Sequence, residues 1–319
     1  MTTSASSRPA ILVIGPYPPG DIELLEAHYD VHRLWETADK SALLKAVGPN
    51  IRAIATRGDL GASAEVIAAL PKLEMIGIYG VGVDGVDFAS TRPRGIKVTN
   101  TPDVLTEDVA DLALALMLAI TRYIPQSDRF LREGGWTTAS NMPLMPCLHG
   151  KRVGIVGLGR IGKAVARRCE AFGMPISYFG RTRQVDISYP FIGSLTDLAA
   201  DSDYLVATVA GGAASAKLIS ADVLKALGPK GFFVNVARGS VADEAALLAA
   251  LETKAIAGAA LDVYLNEPRI DPRFAKLDNV VLLPHIGSAT IETRRAMATL
   301  MRDNIAAHFA GKPLLTPVV

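Results

Sequence analysis

The chain has 319 residues, with 33 basic and 32 acidic side chains and a formal net charge of +1. This length accommodates two domains, and the balanced charge argues against a general affinity for nucleic acids or membranes. No apolar run has the length of a membrane span. Cys147 and Cys169 lie outside any Cys/His ligand spacing, so we expect a reducing compartment, the cytoplasm, and no structural metal.

Short apolar runs alternate with helical segments along the chain, which is typical of α/β folds with parallel sheets. The first block of strand-like runs covers residues 11–15, 31–35, 51–57, 73–80 and 96–100. The second, more regular block covers residues 152–157, 175–180, 204–209, 232–238, 257–263 and 280–284. Helices are predicted to begin near Ser63, Ile161, Ser194, Ser220 and Asp243.

Two longer helices flank the second block, and we expect the chain to pass between domains through them. One is predicted from about Thr106, as its cap, to Ile120, and the other from about Thr290 to Phe309. The pattern predicts two doubly wound parallel-sheet domains. A dinucleotide-binding domain over 101–286 would be inserted in an outer substrate domain made of 1–100 plus 287–319. The polar, proline-rich stretch 134–150 is predicted to be a long surface loop.

A glycine pattern follows the first strand-like run of the second block. Gly157, Gly159 and Gly162 stand in the order Gly-x-Gly-x-x-Gly between a strand and a predicted helix, which is the context of a dinucleotide-binding turn. They would permit a tight turn, close approach to a pyrophosphate and close helix packing, respectively. The alternative is an ordinary glycine-rich turn. The candidate phosphate-binding residues are Gly157, Leu158, Gly159, Arg160, Ile161 and Gly162.

The end of the next strand bears on the choice between NAD and NADP. An acid is expected there for NAD, because a carboxylate accepts hydrogen bonds from the ribose hydroxyls, but the chain has Gly180. Arg181, Thr182 and Arg183 follow, and two cations with a hydroxyl suit a ribose 2′-phosphate. The pattern predicts NADP, with NADPH preferred over NADH. The alternative is that both arginines are solvated loop charges.

Polar residues lie at or beyond the ends of three consecutive strand-like runs. Arg238 and His285 follow their strands directly, and Glu267 comes a few residues after its strand. Ligands of open α/β sheets bind beyond the carboxyl ends of the strands, so these three residues are candidates for one catalytic site. Spacing alone does not show that they meet.

These motifs together resemble the D-isomer-specific 2-hydroxyacid dehydrogenase family. The resemblance lies in their order: the glycine pattern, Val-Ala-Arg-Gly at 236–239, Leu-Asp-Val at 261–263 with Glu-Pro at 267–268, and Pro-His-Ile-Gly-Ser at 284–288. It covers nearly the whole chain, including 79–84 and 98–102. It implies a Rossmann cofactor domain inserted in a flavodoxin-like substrate domain. The segment Tyr178–Arg183 is similar to the glyoxylate/hydroxypyruvate reductase branch and to the related hydroxyphenylpyruvate reductases.

The resemblance implies reduction of a small 2-keto acid to the D-2-hydroxy acid, with the cofactor carrying the hydride. His285 would be the proton donor, because imidazole titrates near neutral pH. Glu267 would orient its ring and favour the imidazolium. Arg238, a permanent multi-donor cation, would bind the substrate carboxylate and polarise the keto oxygen.

Further site residues are implied by the same resemblance. Val81 and Gly82 would cradle the substrate carboxylate or form a plain turn, and Arg57 would point into the cleft or into solvent. Asp262 would accept from the nicotinamide amide or be a buried structural acid. Additional cofactor contacts are implied for Thr106, Val236, Ala237 and Gly287.

The sequence also bears on oligomerisation and on the choice between an enzyme and a non-enzymatic protein. The apolar helix from Val109 to Ile120 and the loop around Trp136 suggest a homodimer. Trp136 would cap its own or its partner's substrate pocket, or simply pack in the loop. A dinucleotide sensor on the same fold is the competing function, and retention of Arg238, Glu267 and His285 favours an enzyme. Formate oxidation on this fold is disfavoured, because that branch is expected to have Gln in place of Glu267.

Overall fold

The computed structural model describes residues 8–18, 20–137 and 142–318. The chain forms two compact units, one of Met1–Leu105 with Ala289–Val319 and the other of Thr106–Ser288. The limits inferred from the sequence, 100/101 and 286/287, lie a few residues before these boundaries. None of the helices formed by the described residues is long and apolar enough to cross a membrane.

Strands and helices alternate along most of the described chain. The strands are β1 (Ala10–Val13), β2 (Asp30–Arg33), β3 (Ile51–Arg57), β4 (Met75–Tyr79), β5 (Lys97–Thr99), β6 (Val153–Val156), β7 (Ile176–Phe179), β8 (Tyr204–Ala207), β9 (Phe232–Asn235), β10 (Gly258–Leu261) and β11 (Val280–Leu282). The helices are α1 (Asp21–Glu26), α2 (Lys40–Val47), α3 (Ala64–Ala68), α4 (Phe88–Thr91), α5 (Thr106–Thr121), α6 (Ile124–Arg132), α7 (Arg160–Ala171), α8 (Leu195–Ala200), α9 (Ala221–Leu227), α10 (Glu244–Glu252) and α11 (Ile291–Phe309).

The first unit is built on a five-stranded parallel sheet in the order β2-β1-β3-β4-β5. Helix α11 packs closely on β4, because Gly77 leaves room for its neighbours; a Cβ there would lie 3.4 Å from Met301 and Ile305. The fully buried Asn304 accepts hydrogen bonds from the backbone N–H groups of Leu315 and Thr316. Helix α11 therefore also holds the segment that follows it.

The second unit is built on a six-stranded parallel sheet in the order β11-β10-β9-β8-β6-β7. Strand β6 lies between β7 and β8, so the strand order reverses there, and the carboxyl end of β6 opens on the crevice where such sheets bind ligands. Residues of its central strands, such as Leu205 and Phe233, are fully buried. Helix α5 is joined to α7 by the ion pair between Arg168 and Asp111, 2.6 Å between Nε and Oδ1.

The predicted α/β class, with alternating helices and two parallel sheets, is confirmed, and every strand-like run overlaps an observed strand. The predicted runs extend up to three residues past several strand ends, because apolar character continues into the turns beyond the sheet. The predicted caps of five helices are also confirmed. Their side chains accept a hydrogen bond from the backbone N–H three residues on, and these residues are Ser63, Ser194, Ser220, Asp243 and Thr290.

Two predictions about helices need correction. Helix α5 begins at Thr106 itself, so Thr106 is its first residue and not its cap. Helix α6 is absent from the prediction, although its nine residues have the amphipathic pattern of a helix; its sequence is mostly polar, and a proline stands near its start. The predicted loop 134–150 contains no helix or strand in its described residues; 138–141 lie outside them.

Candidate active site

The glycine pattern forms the turn from β6 into α7. Gly157 has φ +98°, and a Cβ on Gly162 would lie 2.3 Å from the Gly157 carbonyl oxygen, so both positions require glycine. A Cβ on Gly159 would meet no atom within 4 Å. Among the described residues, no side chain caps the first turn of α7. The turn thus offers an open backbone surface and a helix start, which fit the pyrophosphate of a dinucleotide.

The candidate residues for the 2′-phosphate follow β7 directly. Gly180 stands at the strand end, and Arg181, Thr182 and Arg183 are exposed. Among the described residues, no acidic side chain forms an ion pair with Arg181 or Arg183. The loop therefore presents two guanidinium groups to solvent without a neutralising carboxylate, a surface that suits a dianionic phosphate.

His285 and Glu267 are in direct contact. His285 Nδ1 lies 2.6 Å from Glu267 Oε2, while the other carboxylate oxygen, Oε1, accepts from the backbone N–H of Tyr264 at 2.8 Å. The side chains of His285 and Glu267 are 35% and 25% exposed. Because Nδ1 is engaged with the carboxylate, the opposite nitrogen, Nε2, is the ring atom that can exchange a proton with a substrate.

The loop that carries His285 is held by Asp262. The Asp262 carboxylate accepts from the backbone N–H groups of Ile286 at 2.7 Å and Gly287 at 2.8 Å. His285 itself has φ +56°, a left-handed conformation that is uncommon outside glycine. Burial raises the pKa of the Asp262 carboxyl above its ordinary value, and the two N–H groups oppose that rise. The observed contacts of Asp262 thus give it a structural role in orienting His285, whereas its contact with nicotinamide stays a prediction.

Arg238 lies in a turn that is held by hydrogen bonds from the Asn235 side chain and by close packing of Gly239 on Tyr264. The Asn235 side chain accepts from the Ala237 N–H and donates to the Arg238 carbonyl, both at 3.0 Å. Arg238 Nη1 donates to the Ala237 carbonyl at 2.8 Å. A Cβ on Gly239 would lie 1.8 Å from the carbonyl carbon of Tyr264, so glycine allows the Arg238 turn to pack directly on the segment that holds Glu267. Arg238, Glu267 and His285 therefore follow three neighbouring strands at one edge of the sheet.

The candidate residues of the first unit surround the ends of β3 and β4. The Gly80 N–H donates to Thr101 Oγ1 at 3.0 Å, and Asn100 Nδ2 donates to the Val81 carbonyl at 2.8 Å. These bonds hold the turn that contains Val81 and Gly82, the predicted carboxylate cradle. Arg57 forms an ion pair with Asp59, 2.8 Å between Nη2 and Oδ2.

The remaining predicted residues have simpler surroundings. Val236, Ala237 and Gly287 are buried, Thr106 is half-buried at the start of α5, and Trp136 is 68% exposed. No group of three His, Cys, Asp or Glu side chains in the described ranges could hold a metal ion.

Several residues that shape the site are absent from the sequence-based set. Thr208 donates to the Gly157 carbonyl at 2.6 Å, and Asn235, Asn100 and Thr101 hold the turns described above. The signal for Asn100 was present, because it is a polar residue at the end of a strand-like run. Asn235 lies inside the run 232–238, and only the structure shows that its strand, β9, ends there. Nothing in the local sequence of Thr208 points to the glycine turn, which lies about fifty residues earlier in the chain.

Replacing Asp262 by Asn should loosen the His285 loop, because the amide would present an N–H donor to one of the two backbone N–H groups. A lost hydrogen bond to a charged group costs about 1.5–3 kcal/mol. We therefore expect amide hydrogen exchange at Ile286 and Gly287 to accelerate by roughly tenfold or more. The control Asp128→Asn, which removes a carboxylate paired with Arg132 on α6, should leave it unchanged. Unchanged exchange in Asp262→Asn would contradict this role.

Comparison with known protein families gives a match within the second unit. The model of the D-isomer specific 2-hydroxyacid dehydrogenase NAD binding domain matches residues 114–287, more than half of the chain. This range contains the glycine turn, the loop of residues 180–183 that carries Arg181 and Arg183 (the arginine loop) and all three candidate catalytic residues.

Individual relatives match along almost the entire chain. A hydroxyphenylpyruvate reductase from Plectranthus scutellarioides is 46% identical over 295 residues, covering 92% of this chain and 94% of that protein. A 2-ketogluconate reductase from Gluconobacter oxydans is 47% identical over 314 residues, covering 98% and 100%. The crystal structure of an NADPH-dependent glyoxylate/hydroxypyruvate reductase from Sinorhizobium meliloti, in complex with NADP and malonate, is similar with a TM-score of 0.92 and 45% identity, covering 98% of this chain and 97% of that one. The chain therefore belongs to the D-isomer specific 2-hydroxyacid dehydrogenase family.

Proposed function

We propose that this protein reduces a small 2-keto acid to the D-2-hydroxy acid with NADPH, in the cytoplasm. The bound nicotinamide supplies the hydride. The observation that carries the proposal is the contact between His285 Nδ1 and Glu267 Oε2 at 2.6 Å, beyond the strands of a sheet with a dinucleotide-binding turn. The reductases named among the relatives support the reaction class. Both cysteines are free thiols, which is typical of a reducing compartment.

His285 is the proposed proton donor in the direction of reduction. The negative charge of Glu267 stabilises the protonated ring, and its hydrogen bond to Nδ1 sets the ring orientation and directs Nε2 away from the carboxylate. The Tyr264 N–H fixes the carboxylate in turn. In the direction of oxidation the same ring accepts a proton from the hydroxyl group.

Arg238 of the second unit is proposed to bind the anionic substrate, and the turn of Val81 and Gly82 in the first unit is proposed separately as a carboxylate cradle. The Arg238 guanidinium would pair with the carboxylate and polarise the keto oxygen, where negative charge develops as the hydride arrives. Val81 and Gly82 would offer backbone N–H groups to a carboxylate, because Asn100 and Thr101 hold their turn in place. These donors recognise the 2-keto acid group common to all candidates and leave the substrate side chain open.

The unmodified protein should oxidise NADPH, followed at 340 nm, with at least one of glyoxylate, hydroxypyruvate, 2-ketogluconate or hydroxyphenylpyruvate. His285→Ala should lower kcat by roughly 10²- to 10⁴-fold, the usual contribution of general acid catalysis. Glu267→Gln should also lower kcat, because a neutral amide is a weaker hydrogen-bond partner for His285 Nδ1 than the carboxylate and orients the ring less firmly.

His149→Ala is the matched control, since the His149 ring contacts the Phe172 carbonyl on the same unit and belongs to none of the site motifs. Its kcat should equal that of the unmodified protein. Inertness of the unmodified protein toward all four keto acids would favour the sensor alternative. An unchanged kcat in Glu267→Gln would assign another task to Glu267.

The preference for NADPH is proposed from the arginine loop. Arg181 and Arg183 are exposed, Gly180 replaces the acid that would repel a 2′-phosphate, and an NADPH-dependent relative crystallised with NADP is 45% identical. A charge-assisted hydrogen bond contributes about 1.5–3 kcal/mol, less in an exposed loop. A selectivity of at least roughly tenfold in kcat/KM is therefore expected.

The double variant Arg181→Ala/Arg183→Ala should raise KM for NADPH and leave KM for NADH nearly unchanged, because only the 2′-phosphate distinguishes the two cofactors. Arg132→Ala removes an exposed arginine of α6 that is paired with Asp128 and should change neither value. Equal use of NADPH and NADH by the unmodified protein at moderate salt would refute the preference.

A homodimer is proposed from the surface around α6. The sequence-based expectation also relied on the apolar helix α5, but Val109, Leu116, Met117 and Ile120 of that helix are buried. Helix α6 buries no residue. Four large apolar side chains on α6 and the described parts of the loop after it are more than half exposed, and they are Ile124, Leu131, Trp136 and Leu144. Such a concentration of exposed apolar surface marks an interaction site, and twofold dimers are the commonest soluble oligomers.

Light scattering at micromolar concentration should give twice the mass of one chain. The double variant Leu131→Ser/Trp136→Ser should shift the protein toward the monomer, because it removes apolar surface from the proposed contact. The unmodified protein eluting with the mass of a single chain would contradict the dimer.

A further inference from the structure

The arginine loop is attached to the glycine turn at both of its ends. At its start, the Gly157 N–H donates to the carbonyl of Phe179, the last residue of β7, at 2.9 Å. At its end, Gln184 Nε2 donates to the Leu158 carbonyl at 2.7 Å. Gly157 and Leu158 are consecutive residues of the turn. The four residues between these attachments, 180–183, are the ones that carry the candidate donors to a 2′-phosphate.

Gln184 is itself held by a second contact. Its backbone N–H donates to Tyr178 Oη at 2.8 Å. Tyr178 is 1% exposed, and its ring lies 5.4 Å from that of Phe191. Gln184 is half-buried, whereas Arg181, Thr182 and Arg183 are exposed. Gln184, held by these contacts, therefore anchors the end of an exposed loop. Without this anchor the side chains of Arg181 and Arg183 would adopt many positions.

A dinucleotide with a 2′-phosphate places two anionic groups at a separation that its own covalent structure limits. The glycine turn suits the pyrophosphate, and the arginine loop suits the 2′-phosphate. A loop that is already held in its bound position loses less conformational entropy when the ligand binds, and this increases affinity. The hydrogen bond from Gln184 to Leu158 joins the two anion-binding elements directly and so sets the distance between them.

We propose that Gln184 is a positioning residue for cofactor selection: through Leu158 and Tyr178 it holds the arginine loop where the turn and the loop engage the two phosphate groups together. The inference rests on the proposed preference for NADPH. Gln184 acts through Arg181 and Arg183 and needs no contact with the cofactor. A purely structural role is the alternative, in which Gln184 stabilises the glycine turn and affects every dinucleotide equally.

Two adenine nucleotides separate these roles. The probes are 2′,5′-ADP, which carries one phosphate at the 2′ and one at the 5′ position, and 5′-AMP, which lacks only the 2′-phosphate, and binding to the full chain is measured by calorimetry. Gln184→Met keeps the length of the side chain and removes the donor. Tyr178→Phe keeps the buried ring and removes the acceptor for the Gln184 N–H. The matched control is Gln126→Met on α6. Gln126 Nε2 likewise donates to a backbone carbonyl, that of Asp278, at 2.8 Å.

Gln184→Met should weaken binding of 2′,5′-ADP by roughly threefold to tenfold, the loss expected for one hydrogen bond, with little change for 5′-AMP. Tyr178→Phe should act in the same direction, and Gln126→Met should affect neither ligand. Should Gln184→Met fail to fold, as judged by circular dichroism, Tyr178→Phe carries the test alone.

The contrary outcomes are distinct. Equal weakening of both ligands in Gln184→Met, or no weakening of either, overturns the positioning role. If the unmodified protein binds 2′,5′-ADP no more tightly than 5′-AMP, the proposed NADPH preference fails and the inference fails with it. If Arg181→Ala loses affinity for 2′,5′-ADP while Gln184→Met and Tyr178→Phe do not, the preference stands and only the role of Gln184 is refuted.

Discussion

The Asp262 carboxylate connects the end of β10 to the loop after β11 by accepting the N–H groups of Ile286 and Gly287. A buried carboxylate is costly unless its oxygens are hydrogen-bonded, and these two N–H groups meet that need at the expense of the freedom of the loop. His285 is thereby held in a left-handed backbone conformation from which its ring contacts Glu267. The proposed acid therefore depends on an aspartate that need not touch the substrate.

Close backbone approach completes the same edge of the sheet. Gly239 lets the turn of Arg238 lie against Tyr264, and the Tyr264 N–H in turn holds Glu267. A side chain on Gly239 would overlap the backbone of Tyr264, so the three candidate catalytic residues share one set of packing constraints. This arrangement gives rigid support to groups that must keep a defined orientation while a proton moves.

The cofactor-binding elements of the second unit are also held in place by hydrogen bonds. The glycine turn is formed by backbone geometry and by the hydrogen bond from Thr208 to the Gly157 carbonyl, whereas the arginine loop depends on hydrogen bonds from Gly157 and Gln184 at its two ends. In the proposed NADPH preference, the charges of Arg181 and Arg183 bind the 2′-phosphate, and the attachments of the loop hold these charges in position. Selectivity in such a site is thus a property of loop position as well as of composition.

The sequence by itself determined the α/β class, the strands, five helix caps, the glycine turn and the placement of Arg238, Glu267 and His285 at or beyond strand ends. These features depend on apolar periodicity and on caps within a few residues, which are local. The sequence-based prediction missed helix α6, a short and mostly polar helix, although its residues have an amphipathic pattern. Only the tertiary structure decided that Asp262 binds Ile286 and Gly287 and that Gln184 binds Leu158, over 24 to 26 positions of sequence. Such contacts depend on which strands become neighbours, and the order β11-β10-β9-β8-β6-β7 arises from the packing of the whole sheet.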